Sequence, residues 1–171
     1  PAGHSAPAVG FEVPLEMLAA CHGRVQAQCA TLRRLAAHLA SQGADRQAQD
    51  APAAVMRYFD TSAVHHHADE ELDLFPALIE SMAGSDAVCV RELTASLVAE
   101  HRELEQRWRT LHRRLEQVTR AEAAPLPGDE VRAFIDLYER HIAREEAELL
   151  PMAGRLLSDA ELDRIGLSMR A

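Results

Sequence analysis

From His66 the chain reads HHADEELDLFPA, and from His141 it reads HIAREEAELLPM. The two stretches agree at the histidine, at both glutamates, at the leucine three residues beyond them and at the proline. They form an internal repeat of H-x-x-x-E-E-x-x-L-[FL]-P. Residues four apart on an α-helix differ by about 40° in direction and about 6 Å along the axis, so His66 with Glu70, and His141 with Glu145, each face one side from adjacent turns. Both pairs interrupt stripes that are otherwise mostly apolar. One runs Phe59, Ala63, His66, Glu70, Leu74, Leu78, and the other Val131, Phe134, Tyr138, His141, Glu145, Leu149, Met152. A fold that buries these stripes must accommodate imidazole and carboxylate at its centre.

Two further stripes carry one histidine each. The first helix, expected from Pro14 to Gln42, presents Leu15, Leu18, His22, Val25, Cys29, Leu32, Ala36 and Leu39, and the third presents Leu93, Leu97, His101, Leu104, Trp108, Leu111, Leu115 and Val118. Breaker-rich stretches separate the helices: SQGAD, then AGSD, then AEAAPLPGD. Asp50 is the expected N-cap of the second helix, with Pro52 in its first turn. SDAE at Ser158 is a capping box that opens a short fifth helix through Leu162 and Ile165. Only 4% of residues are aromatic, no strand-like alternation occurs, and Ala, Leu, Glu, Arg and Gln dominate, as suits helices. The expectation is an all-α chain: an antiparallel up-down-up-down four-helix bundle with a short C-terminal fifth helix. At 171 residues and 47% hydrophobic it should form one domain, with residues 1–13 as an N-terminal arm and 14–171 as the bundle.

In such a bundle His22, His66, Glu70, His101, His141 and Glu145 meet at mid-height. Burying an uncompensated carboxylate costs several kcal/mol, and two facing carboxylates repel; a whole domain is stable by only about 5–15 kcal/mol. Bound cations resolve the conflict directly. Imidazole nitrogen with bridging carboxylate oxygen and no cysteine suits a pair of non-heme iron ions, and manganese or zinc fit the same donors. Ferritin-like di-iron bundles use Glu-x-x-His, and no glutamate here has a histidine three positions later.

The sequence resembles the hemerythrin-like, HHE cation-binding family. The resemblance rests on His22 in AACHGRV, His66 and Glu70 in HHHADEELDLFPAL, His101 in VAEHREL, and His141 and Glu145 in ERHIAREEAELLP. It implies one iron held by His22 and His66, a second by His101 and His141, and Glu70 and Glu145 as bridges. Oxygen-carrying members bind dioxygen reversibly; relatives sense oxygen, nitric oxide or redox state, or handle iron. Carriers have a second histidine one turn after the third-helix histidine, where this chain has Glu105. Glu105 as a ligand would favour the ferric state and shorten the life of an oxygen adduct. Unligated, it leaves an open position.

The remaining residues set limits. His67 with Glu71 repeats the spacing of His66 with Glu70, but its stripe would bury Asp60; His65, His67, Glu71 and Glu146 are therefore expected outside the ligand set. His112 stands about 16 Å from His101 along the helix, and His4 and His38 are surface residues. Trp108 and Tyr138 fill core, with Tyr138 one turn from His141. Pro76 and Pro151 are kinks or stops. Cys21, Cys29 and Cys89 lack CxxC spacing and are expected as reduced thiols. A net charge of −9 without a basic cluster argues against nucleic acid and anionic membranes. The longest apolar run is five residues, Met17 to Cys21, and the N-terminal stretch lacks signal-peptide features, so the expected location is the cytoplasm. The expected ligand is dioxygen, another small diatomic, or peroxide, in a sensing, protective or iron-handling role; no protein partner is indicated. The competing readings are a di-iron oxidase or peroxidase-like enzyme and a metal-free helical interaction module.

Overall fold

The computed structural model describes residues 13–82, 87–122 and 126–169, and all regular structure among them is helical. The helices are α1 (Val13–Gln42), α2 (Arg46–Asp50), α3 (Pro52–Asp60), α4 (Ser62–Asp69), α5 (Phe75–Ser81), α6 (Ala87–Thr119), α7 (Gly128–Arg144), α8 (Leu150–Leu156) and α9 (Asp159–Ser168). Almost all of the expected N-terminal arm, together with the AGSD turn and residues 123–125, lies outside the described residues. No helix among the described residues is long and apolar enough to cross a membrane.

Gly43 ends α1 with φ 74° and donates its N–H to Leu39 C=O at 3.1 Å, the left-handed exit that glycine allows. The N-cap differs from expectation. Asp45, not Asp50, accepts the N–H of Ala48 at 2.9 Å and starts α2, and Asp50 is that helix's last residue. The helix that Pro52 opens, α3, has Ala51 at its N-cap with no side-chain hydrogen bond, because Asp50 belongs to the last turn of α2. Ser158 and Glu161 form the expected capping box at α9.

Pro76 and Pro151 do not stop their helices. α4 runs into α5 through a π turn at Glu70–Leu74, and α7 runs into α8 through a second at Glu145–Leu149. In each, a backbone N–H reaches five residues back, Phe75 to Glu70 and Leu150 to Glu145. The widened turn makes room for a proline that lacks an N–H and would otherwise crowd the carbonyl four residues earlier. It also keeps the stripe in phase. His66, Glu70, Leu74 and Leu78 are all buried, as are His141, Glu145, Leu149 and Ala153. Successive steps of four on an unbroken α-helix would drift by about 40° each; the π turn rotates less per residue and holds the row on one side.

The apolar core is divided in two. One part gathers Val25, Leu32, Phe59, Leu104, Trp108 and Phe134, and the other gathers Leu18, Leu74, Leu78, Leu97, Leu149 and Ile165. Between them, in sequence on every long helix, stand the buried polar residues His22, His66, His67, Glu70, His101, His141 and Glu145. α1 packs on α3, α7 and α9, and α6 packs on α3, α5 and α7.

Candidate metal centre

Six of the seven expected ligands converge. α1 supplies His22, the end of α4 His66, α6 His101 and α7 His141, while Glu70 and Glu145 open the two π turns. All six are buried. Glu145 places Oε2 2.9 Å from His22 Nε2 and Oε1 2.8 Å from His141 Nε2. Glu70 places Oε1 3.4 Å from His66 Nε2 and Oε2 3.3 Å from His101 Nε2. Each carboxylate thus divides its two oxygens between the same two pairs of imidazoles. The donor atoms fall into two sets, His22, His66, Glu70, Glu145 and Glu70, His101, His141, Glu145, each with all atoms within 4.8 Å of one another.

Three imidazoles are oriented from behind. Nδ1 of His22 lies 3.0 Å from Glu146, that of His101 2.8 Å from Glu71, and that of His141 2.8 Å from Glu100. With Nδ1–H donated outward, each Nε2 turns its lone pair inward, the tautomer a cation needs. Arg102 pairs with Glu71 and Arg144 with Glu100. The doubled glutamate of the repeat is thereby explained: the first faces the centre and the second orients an imidazole on another helix. Glu100 was missed by sequence reasoning, its only sign being its place beside His101 in VAEHREL. His66 differs from the others, since its buried Nδ1 has no partner among the described residues.

The electrostatics are unbalanced without a cation. Burial, then repulsion from Glu145, raises the Glu70 carboxyl to about 7. Burial pushes Glu145 the same way, but the close approach of the His101, His141 and His22 imidazoles outweighs it and holds that group well below the usual carboxylate range. Burial lowers His66 to about 3. Burial also opposes charge on His101, yet Glu145, Glu70 and Glu71 together raise it to about 10. Among the described residues, His22 Nε2 and all four oxygens of Glu70 and Glu145 make no hydrogen bond, and His101 Nε2 faces His141 Nε2 across 3.1 Å. Orphaned buried oxygens beside inward lone pairs are what a divalent cation satisfies, and the nitrogen and oxygen donors fit one.

The hemerythrin HHE cation-binding domain profile matches residues 13–153, a span that contains every one of these donors. The chain belongs to the hemerythrin HHE cation-binding family. An uncharacterized protein of Haemophilus influenzae is 33% identical over 158 residues, covering 92% of this chain and 88% of that protein. Within this HHE domain two residues depart from the sequence reading. Glu105 is not gathered with the other six: its side chain is 40% exposed and bonds Arg102 Nη1 at 2.7 Å. A carboxylate keeps its hydration and its arginine there, whereas turning inward would forfeit both. His67, expected outside the ligand set, is buried, with its ring parallel to that of His101 at 3.9 Å and its Nε2 3.5 Å from the Tyr138 hydroxyl. One of its nitrogens lies within 4.8 Å of donor atoms of His101 and His141. Burial and the flanking imidazoles keep it neutral. The competing pair of His67 with Glu71 does not form, because Glu71 bonds His101.

The other expectations for this HHE domain resolve simply. His65 is exposed, and His38 bonds Asp45. His112 bonds Asp60, which also accepts from Trp108 Nε1 at 2.8 Å. Trp108 and Tyr138 are core residues. Cys21, Cys29 and Cys89 are free thiols. His4 lies outside the described residues.

Proposed function

We propose that this chain is a non-heme di-iron, hemerythrin-like protein of the cytoplasm that binds dioxygen or a related small ligand, nitric oxide or peroxide, in a sensing, protective or iron-handling role. The observation that carries the reading is the division of each carboxylate between two imidazole pairs. His22 and His66 would hold one iron, His101 and His141 the other, and Glu70 and Glu145 bridge them. The surrounding architecture is read as an antiparallel up-down-up-down four-helix bundle with α9 as the short fifth helix. Membership of the two apolar clusters supports it: the polar layer is crossed from Leu18 toward Val25, back from Phe59 toward Leu74, again from Leu97 toward Leu104, and back from Phe134 toward Leu149.

Iron, when bound, supplies reversible electron exchange with a small oxidising ligand. The chain supplies the rest. Glu71, Glu100 and Glu146 keep the outer imidazole protons in place, so the inward nitrogens remain donors. The two leucine-rich clusters exclude bulk water, which strengthens every charge interaction at the centre. Nitrogen and oxygen donors without sulfur favour iron, with manganese and zinc as the alternatives. A turnover reading, oxidase or peroxidase-like, draws support from Tyr138, a buried phenol beside His67.

The test is metal analysis of protein made in iron-replete cells, followed by stopped-flow spectra of the reduced protein with oxygen, nitric oxide or peroxide. The expected result is about two iron per chain, lost in His66→Ala, and a single accumulating adduct. Repeated consumption of the ligand would move the assignment to an enzyme. Less than half an equivalent of any transition metal, unchanged by His66→Ala, would leave a metal-free interaction module instead.

A further inference from the structure

We infer that His67 is a third imidazole donor to the cation held by His101 and His141, supplied by α4 in place of the third-helix residue whose slot Glu105 fills. The inference rests on the metal-centre reading above. Adjacent residues on a helix point about 100° apart, so His66 and His67 face different neighbours: the His66 ring meets His22 edge-on at 5.2 Å, and the His67 ring lies on His101. α4 therefore contributes an imidazole to each half of the centre. His67 is 5% exposed, and its single side-chain hydrogen bond among the described residues is the long one to Tyr138. An imidazole already stripped of water and weakly partnered gives up little on binding a cation. Glu105 would have to leave solvent and break its 2.7 Å bond to Arg102. Two parallel rings cannot both aim an in-plane lone pair at one ion, so coordination turns His67 out of its stack on His101.

Space for that turn is at hand. A cleft of about 360 Å³, lined by Phe59, Ala63, His67, Leu104, Glu105 and Tyr138 among others, lies against the ring. The cleft also admits a free imidazole, which makes the inference testable. Iron-loaded wild type, His67→Ala, His67→Phe and Glu105→Gln would be exposed to a colorimetric chelator, and release of each iron equivalent followed with and without added imidazole. Phenylalanine keeps a flat ring on His101 but has no donor nitrogen. The expected result is that both His67 variants release one of two equivalents about tenfold or more faster than wild type, that imidazole slows release from His67→Ala but not from His67→Phe, and that Glu105→Gln matches wild type. Wild-type rates in both His67 variants, or faster release in Glu105→Gln than in His67→Ala, would overturn the assignment while leaving the metal centre intact. A wild-type protein that retains no iron would overturn both.

Discussion

Glu70 and Glu145 occupy equivalent positions in the repeat and sit in opposite electrical states. Three imidazoles crowd Glu145, while burial and the facing Glu145 carboxylate act on Glu70. A carboxyl raised in the folded state to about 7 from its ordinary value of 4.5 binds its proton more tightly folded than unfolded. Its contribution to stability is therefore full below about pH 4.5 and lost as pH rises through about 7. For chelated protein, Glu70→Gln should match wild type near pH 4.5 and be more stable at pH 8 by about 3 kcal/mol, read from urea melts across that range. A constant difference would mean that Glu70 does not titrate this way. Cysteine accessibility gives an independent check: burial pushes the Cys29 thiol up to about 12, whereas Cys89 is exposed. Cys89 should react with a maleimide in the native protein at neutral pH, and Cys29 only after unfolding; equal reactivity in the folded state would contradict the packing of α1.

At the scale of single elements, the end of α6 carries an avoidable strain. Ala121 has φ 55° and closes a two-bond cap, Ala121 N–H to Val118 and Glu122 N–H to Gln117, in the position glycine usually takes. Ala121→Gly should stabilise the protein by about 1 kcal/mol, seen as a shift in urea midpoint at unchanged slope; no shift would mean that the left-handed exit is absent in solution. Helices α1, α6 and α7 were legible because their apolar positions recur at three and four without interruption except by histidine. The π turns left a fainter trace. Positions 66, 70, 74 and 78 step by four without a three, a spacing that a regular α-helix cannot keep on one side, and reading Pro76 as a kink or stop obscured it. The convergence of six buried residues was legible because the repeat singles out four and the stripes two more. His67 was not, because its inward direction depends on α4 lying between α1 and α6, a matter of packing that leaves no mark on its own helix. Between the two readings open for Glu105, ligand or unligated neighbour, its place along the helix could not choose, because that place does not decide whether a carboxylate keeps an arginine and water.

For the molecule as a whole, the divided core makes stability depend on what fills the layer between its halves. A cation bound only by the folded chain adds about 4 kcal/mol at a thousandfold excess over its dissociation constant, roughly 10 °C in melting temperature for a chain of this size. Removing metal with a chelator should lower the midpoint by about that amount, measured by circular dichroism, and readdition should restore it; a melt indifferent to chelation would remove the reason for a cation at the centre. The same layer also decides how the helices are aligned lengthwise. A stack of leucine rows looks much alike to its neighbours after sliding by one turn, about 5.4 Å, and offers little to tell the correct alignment from the shifted one. Here such a slip would drive His22 or His101 into leucine and strand Glu145 among hydrocarbon, so the costliest residues to bury are also those that allow the chain only one way to line up.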